Sequence, residues 1–241
     1  MSRIGFLGTG PLSAPLDRFL SRTGHDVVLP EPAQGVCAAS CQTVLDRSEI
    51  LFLCLPPPDA AAVLSGLVFR PDHRIVSLVA DLPLAALRGL CAPTRDITRT
   101  LPLGFVELGG CPLPACPDAD LLERLFAPEN PVMAVRDERA FNRYLALCAM
   151  VPAVFGLMAT GADWLAAETG DSGGADRFIA RLVQCALTAS VGDPAGLTAG
   201  RDALATGDAI GRQMIAALRQ GGVHPTLRQA LEGIAAHLPE A

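Results

Sequence analysis

Lysine is absent from this chain of 241 residues, whose 19 basic residues are all arginine. That absence removes whole mechanisms. A Schiff base with a carbonyl substrate or with pyridoxal phosphate, a phosphate-loop lysine, and any dehydrogenase that relies on a catalytic lysine all need a side-chain primary amine. Aromatic residues are scarce as well, and the single tyrosine and single tryptophan, Tyr144 and Trp164, are expected in core packing. Only four histidines occur, none within a Cys/His cluster of metal-ligand spacing, so no metal site is expected. The cysteines at 37, 41, 54, 91, 111, 116, 148 and 185 form no close Cys-x-x-Cys pair and mostly lie in apolar runs, which points to small buried thiols. Basic runs are missing and the formal charge is −6, so there is no electrostatic footprint for nucleic acid. No N-terminal stretch combines the basic, apolar and cleavage-site sections of a signal peptide, and a cytoplasmic location is expected. One long uncharged run exists, Tyr144 to Ala162, interrupted by Pro152, Gly156 and Gly161 and followed by Asp163. It has the length to span a bilayer, but the rest of the chain has the character of a soluble enzyme, so a buried central helix is expected.

The most informative residues present are 3 to 14, Arg-Ile-Gly-Phe-Leu-Gly-Thr-Gly-Pro-Leu-Ser-Ala, where an apolar strand pattern runs into a glycine turn and then a helix-like segment. This is the opening of a dinucleotide-binding βαβ unit. Gly8 allows the tight turn, Gly10 lets a pyrophosphate approach the backbone, and Ser13 stands at the third small position where helix and strand pack closely. Thr9, Pro11 and Leu12 complete the turn, and phosphates would rest on helix N-terminal N–H groups. The alternative is an ordinary strand, turn and helix without a ligand.

Short apolar runs then alternate with helix-like segments. Ile4–Leu7, Asp26–Leu29, Ile50–Leu55 and Ile75–Val79 read as strands, and the segments after Gly10, near Val36–Leu45 and over Asp59–Leu67 as helices. Ile97–Leu101, Cys111–Leu113 and Val132–Val135 are further strand candidates, with a helical stretch at Ala119–Phe126. From about Asp137 the strand signal stops and Ala, Leu and Arg dominate; Thr226 could cap the last helix. The fold class is therefore α/β plus all-α: a Rossmann domain with a doubly wound, mostly parallel sheet over residues 1–137, and a helical domain over 138–241.

Particular residues narrow the reading. Gly8-Thr9-Gly10-Pro11-Leu12-Ser13, Cys54-Leu55-Pro56-Pro57, Val76-Ser77-Leu78-Val79-Ala80-Asp81, Arg99-Thr100-Leu101-Pro102-Leu103 and Val151-Pro152-Ala153-Val154 follow one another in the order of motifs in pyrroline-5-carboxylate reductases. The chain resembles that family, with a fainter counterpart of its late Pro-Gly-Gly-Thr-Thr turn at Thr206-Gly207-Asp208-Ala209. The resemblance implies an NAD(P)-dependent oxidoreductase that transfers hydride to a small imine, and a homodimer through intertwined C-terminal helices with sites shared between subunits. It also implies substrate contacts near Arg99, Leu103, Met150, Val151, Gly207 and Asp208. Ala149, Met150 and Val151 replace the family's small polar run, and Asp208 with Ala209 stands where two hydroxyls would receive a carboxylate, so a different substrate or lost activity stands open.

Glu31 lies near the end of the second strand, about 18 residues beyond Ser13, close to the spacing at which an acid bonds the ribose 2′-OH and repels a 2′-phosphate. The family's NADP-binding arginine falls near Pro32, so NAD is slightly favoured over NADP; a solvated loop glutamate is the alternative. Leu55, Pro56 and Pro57 would flank the nicotinamide. A proton donor could be Glu168 or Asp171, beside Ser172, unless these simply form a solvated helix end. Arg99 could hold a substrate carboxylate as a bidentate fork or instead serve a surface or strand-capping role. Other functions weighed are a β-hydroxyacid-type dehydrogenase, disfavoured by the missing lysine, a relative of the F420-dependent NADP reductases, and a non-catalytic or diverged dinucleotide-binding protein. The expected partners are a small-molecule substrate and a second copy of the chain, with neither nucleic acid nor membrane.

Overall fold

The structure is a computed structural model that describes residues 1–30, 37–191, 195–205 and 210–239. Five strands, β1 (Arg3–Leu7), β2 (Asp26–Val28), β3 (Ile50–Leu53), β4 (Arg74–Ser77) and β5 (Asp96–Arg99), form an all-parallel sheet in the order β2-β1-β3-β4-β5. Ile4, Gly5, Phe6 and Leu7 of β1 lie beside Ile50, Leu51, Phe52 and Leu53 of β3. These strands are apolar at successive positions because the sheet is covered on both faces. On one face Ile4, Phe6, Ile50, Phe52 and Val76 pack against α1 (Ser13–Arg22) and α5 (Asp120–Phe126), with Phe6 stacked on Phe52 at 5.3 Å. On the other, Leu7, Leu51, Leu53 and Ile75 meet α2 (Ala38–Asp46), α3 (Pro57–Ser65), α4 (Leu84–Leu90) and α6 (Glu138–Cys148).

The chain divides into two compact units, one of Met1–Leu145 with Ala235–Ala241 and one of Ala146–Ile234. The first boundary lies later than the expected 137/138 because α6 belongs mostly to the sheet unit. Asp137 caps it, accepting from Ala140 N at 2.7 Å, and Phe141 and Leu145 are buried in the sheet's core. The expected strands after β5 do not extend the main sheet. β6 (Leu113–Ala115) and β7 (Val132–Ala134) pair with each other as a separate parallel ribbon, and only an antiparallel bridge between Arg99 and Cys116 joins it to β5. The doubly wound parallel sheet is thus complete with five strands, and the expectation that the two later strands extend it is corrected to this appendage.

The second unit holds α7 (Met150–Thr169), α8 (Ser172–Ser190), α9 (Gly196–Leu204), α10 (Ile210–Gln220) and most of α11 (Val223–His237). α7 packs on α8, yet the apolar run it carries is not buried within the chain: Phe155 is 65% exposed, Leu157 56% and Trp164 67%. The expected buried central helix, and the core role of Trp164, are therefore corrected for the single chain; Tyr144 is also partly open to solvent. Thr226 is not a cap, since α11 starts at Val223 and Thr226 lies in its first turn, its N–H bonded to Gly222 O. Five of the cysteines are buried, whereas Cys37 and Cys185 are exposed.

Candidate functional site

All five strands of the main sheet point the same way, so their C-terminal ends share one edge. The chain leaves β1 toward β2 on one side and later returns to β3 on the other, which makes the β1/β3 junction the topological switch point, where open α/β sheets bind ligands. The glycine turn lies there. Gly8 has φ +103°, and a Cβ on it would stand 2.6 Å from the Cys54 carbonyl oxygen. A Cβ on Gly10 would come within 2.8 Å of the same atom, to which the Gly10 N–H donates at 3.2 Å. Both glycines are thus needed because the turn from β1 folds tightly over the end of β3.

Ser13 is buried at the first position of α1, with its Oγ donating to Gly8 O at 3.3 Å and its N–H to Gly10 O at 2.9 Å. These bonds hold the helix start against the turn, the part assigned to the third small residue. The N–H groups of Leu12 and Ala14 have no acceptor among the described residues. Pro11 and Pro15 contribute no N–H, so the turn keeps a reduced set of donors at the positive end of the α1 dipole. A pyrophosphate fits this cradle: the backbone is bare where it must approach and unspent donors face the helix end. The Leu12 side chain, partly buried, packs against the core beneath α1.

At the end of β3 Leu55 is buried in the core, while Pro56 and Pro57 are exposed and start α3. Pro57 and Pro58 supply no N–H and Asp59 adds a negative charge to the first turn, so this helix end is not a second anion site. Burial pushes the Cys54 thiol up to about 12, opposed in part by its interaction with the Ser13 side chain. It is an inert thiol, not a nucleophile. The exposed Cys37 thiol at the start of α2 is lowered, first by the Ser40 hydroxyl and then by the Ser40 backbone N–H.

Arg99 does not face a substrate. It is 1% exposed, its Nη1 donates to Glu138 Oε1, its Nη2 donates to Ala80 O at 2.7 Å, and its guanidinium lies 4.9 Å over the Phe141 ring. Glu138 also accepts from Leu84 N at 2.7 Å, at the start of α4. The buried guanidinium ties α6 to the ends of β4 and β5, which corrects its assignment as a carboxylate anchor. Leu103 is partly buried against the core on the α1 face, just before a short 3₁₀ turn, Gly104–Leu108.

In the second unit Met150 and Val151 begin α7, both partly buried. Asp171 is the N-cap of α8, accepting from Gly174 N at 2.8 Å, after Gly170 ends α7 in the left-handed conformation. It and Glu168 are exposed, which is the solvated helix end rather than a poised proton donor. Glu31, Gly207 and Asp208 lie outside the described residues. No group of three His, Cys, Asp or Glu side chains gathers as a metal site among the described residues. Sequence reading missed two parts of the cradle: the Cys54 carbonyl as the atom that enforces both glycines, for which residue types carry no signal, and Ala14, whose place in the first turn of α1 could have identified it.

No protein-family model matches the chain. Pyrroline-5-carboxylate reductase 3 of Macaca fascicularis is 29% identical over 116 residues, a stretch covering 42% of this chain and 42% of that protein. Among solved structures, a Plasmodium falciparum pyrroline carboxylate reductase with NADP bound aligns with a TM-score of 0.83 at 13% identity, over 98% of this chain and 96% of that one. A Streptococcus pyogenes 1-pyrroline-5-carboxylate reductase gives 0.83 at 16% identity over 98% and 97%. A reductive aminase of Aspergillus terreus, in complex with NADPH and ethyl levulinate, gives 0.58 at 15% over 98% and 92%. The chain has the two-domain fold of these proteins, and its resemblance to the pyrroline-5-carboxylate reductases, read first from residues, holds in sequence and in fold.

Proposed function

We propose that the chain is an NAD(P)-dependent reductase acting on a small imine of the pyrroline-carboxylate type. The observation that carries this reading is the glycine turn at the β1/β3 switch point, closed against the Cys54 carbonyl with the Leu12 and Ala14 N–H groups unspent. Gly8 to Ser13 would hold the pyrophosphate, and Pro56 and Pro57 would lie beside the nicotinamide. When bound, the reduced nicotinamide supplies the hydride that adds to the C=N carbon. The protein's part is alignment of the two reactants, which needs neither a nucleophile nor the amine this chain lacks. Met150, Val151, Gly207 and Asp208 are proposed for the substrate by their positions in the sequence.

NAD is the proposed cofactor over NADP. Residues 29 to 37, Leu-Pro-Glu-Pro-Ala-Gln-Gly-Val-Cys, contain no cation to receive a 2′-phosphate and one carboxylate, Glu31, to repel it. A homodimer is proposed through the helical unit. Phe155, Leu157 and Trp164 of α7 and Phe178, Leu182 and Leu187 of α8 are each half or more exposed in the single chain, an apolar surface that soluble monomers rarely carry. Cover by a second copy explains it within a soluble, cytoplasmic protein, although the span Glu138–Thr169, which takes in α6 and α7, is long and apolar enough to cross a membrane. Light scattering that finds a particle of twice the 25.1 kDa chain mass supports the dimer, and a monomer overturns it.

Steady-state oxidation of NADH in the presence of 1-pyrroline-5-carboxylate, 1-pyrroline-2-carboxylate and a simple cyclic imine tests the activity. Turnover of any of them supports the reading. Dinucleotide binding without turnover would favour the second reading, a diverged dinucleotide-binding protein, which the commitment of Arg99 to Glu138 and of Asp171 to its helix cap supports.

A further inference from the structure

The helical unit contains a cavity of about 490 Å³ between α9 and α10. Arg201 and Asp202 line it from α9, and Arg212 and Arg219 from α10, over a floor that includes Ile215 and Ala216. Arg212, Ile215, Ala216 and Arg219 are spaced i, i+3, i+4 and i+7, so the helix period itself brings the two arginines to one face with the apolar residues between them. Arg201 is paired with its neighbour, Nη2 to Asp202 Oδ1 at 2.6 Å. The guanidinium groups of Arg212 and Arg219 have no ion pair or hydrogen bond among the described residues. Among the described residues that line the cavity, three guanidiniums face one carboxylate, an excess of two positive charges in a chain whose net charge is −6.

We propose that this cavity binds a small dianion whose paired oxygens engage Arg212 and Arg219, with Arg201 as the third donor. Guanidinium forks match carboxylate and phosphate oxygens in geometry and charge, and two like charges on one helix face are relieved by an anion between them. The cavity's volume is that of a small-ligand site, and the flat, extended basic surface that a nucleic acid would need is missing. The shared chemistry is a dianion with forked oxygens, borne by a phosphate monoester or by a dicarboxylate.

Calorimetric titration of the full chain with inorganic phosphate and, separately, with malonate, at constant ionic strength in chloride, tests this. Saturable binding of at least one probe is expected, and the probe that binds tells phosphate from dicarboxylate. The variant Arg212→Gln/Arg219→Gln, checked for folding by circular dichroism, should weaken that binding about tenfold or more, since each lost bond is a charge-assisted one. Asp202→Asn releases Arg201 and should tighten binding severalfold, a change of opposite sign that stands even if the double variant fails to fold. Phosphate resting on the glycine turn instead would leave both variants at wild-type affinity. That result overturns the proposal, as does wild-type protein that binds neither probe saturably or an Asp202→Asn variant that binds no tighter.

Discussion

Replacing Arg99 by methionine is expected to unfold the protein more readily rather than to weaken substrate binding. The side chain is 1% exposed and Glu138 7%, so neither charge is compensated by water when its partner goes. The variant leaves Glu138 with Leu84 N as a donor but without its counter-charge, and leaves the Ala80 carbonyl without the Nη2 donor. Removing one partner of such a buried pair costs about 3–5 kcal/mol, against a total stability of about 5–15 kcal/mol for a domain. The contact with Phe141 is mostly retained as an apolar one, because methionine replaces the stem that covers the ring. Urea denaturation of wild type, Arg99→Met, Glu138→Leu and the double variant forms a cycle. The double variant should cost less than the sum of the two single ones, because no orphaned charge remains. An Arg99→Met protein within about 1 kcal/mol of wild type would refute this reasoning. If that variant also had a raised KM for the imine, Arg99 would return as a substrate anchor.

Thr9→Asp places a negative charge on an exposed position of the glycine turn and should lower dinucleotide affinity about tenfold with an unchanged melting temperature. Gly10→Ala should lower both affinity and melting temperature, because its Cβ meets the Cys54 carbonyl and not only the ligand; a Gly10→Ala protein of wild-type stability would contradict the tight turn. A thiol reagent on the native protein should modify Cys37 rapidly, because its lowered pKa raises the thiolate fraction, and spare Cys54 and Cys91 until unfolding; peptide mass mapping reads the order. His73 is buried with Nε2 unpartnered, and desolvation, followed by the charge of Arg70, lowers its pKa below the unfolded value. The unfolded chain therefore takes up the proton first as pH falls through about 6.5, and stability declines from there toward the lower folded pKa, then levels off. His73→Gln should flatten that part of the urea-midpoint profile, and an equal slope in both proteins would exclude His73 as its source.

The sheet unit was legible because β1 and β3 are short apolar runs, β2 and β4 carry apolar pairs beside charged residues, and the glycine turn has a fixed place between strand and helix; β5, Asp-Ile-Thr-Arg, has the weakest apolar signal. Local signals of that kind do not report pairing across the chain. Arg99 and Glu138 are 39 positions apart, and only the packed structure reveals that the arginine is spent on a structural pair. β6 and β7 were located to within a few residues, but their pairing into a separate ribbon depends on the bridge between Arg99 and Cys116, which no periodicity encodes. The last helix starts before Thr226 because Pro225 is tolerated in a first turn, where its missing N–H costs nothing. α7 was recognised as apolar and helical, but composition states only that a face must be covered, and within the single chain it is not. The donor candidates Glu168 and Asp171 were correctly grouped at a helix end, where Asp171 has the capping task that its residue type suggests.

The decisive measurement is calorimetric titration of the purified chain with NADH and with NADPH side by side. Saturable binding of NADH, tighter than NADPH and weakened by Thr9→Asp, is the expected result, since the turn offers a pyrophosphate cradle and residues 29 to 37 offer no cation for a 2′-phosphate. Binding of neither dinucleotide by folded protein would contradict the assignment of the β1/β3 switch point as a cofactor site.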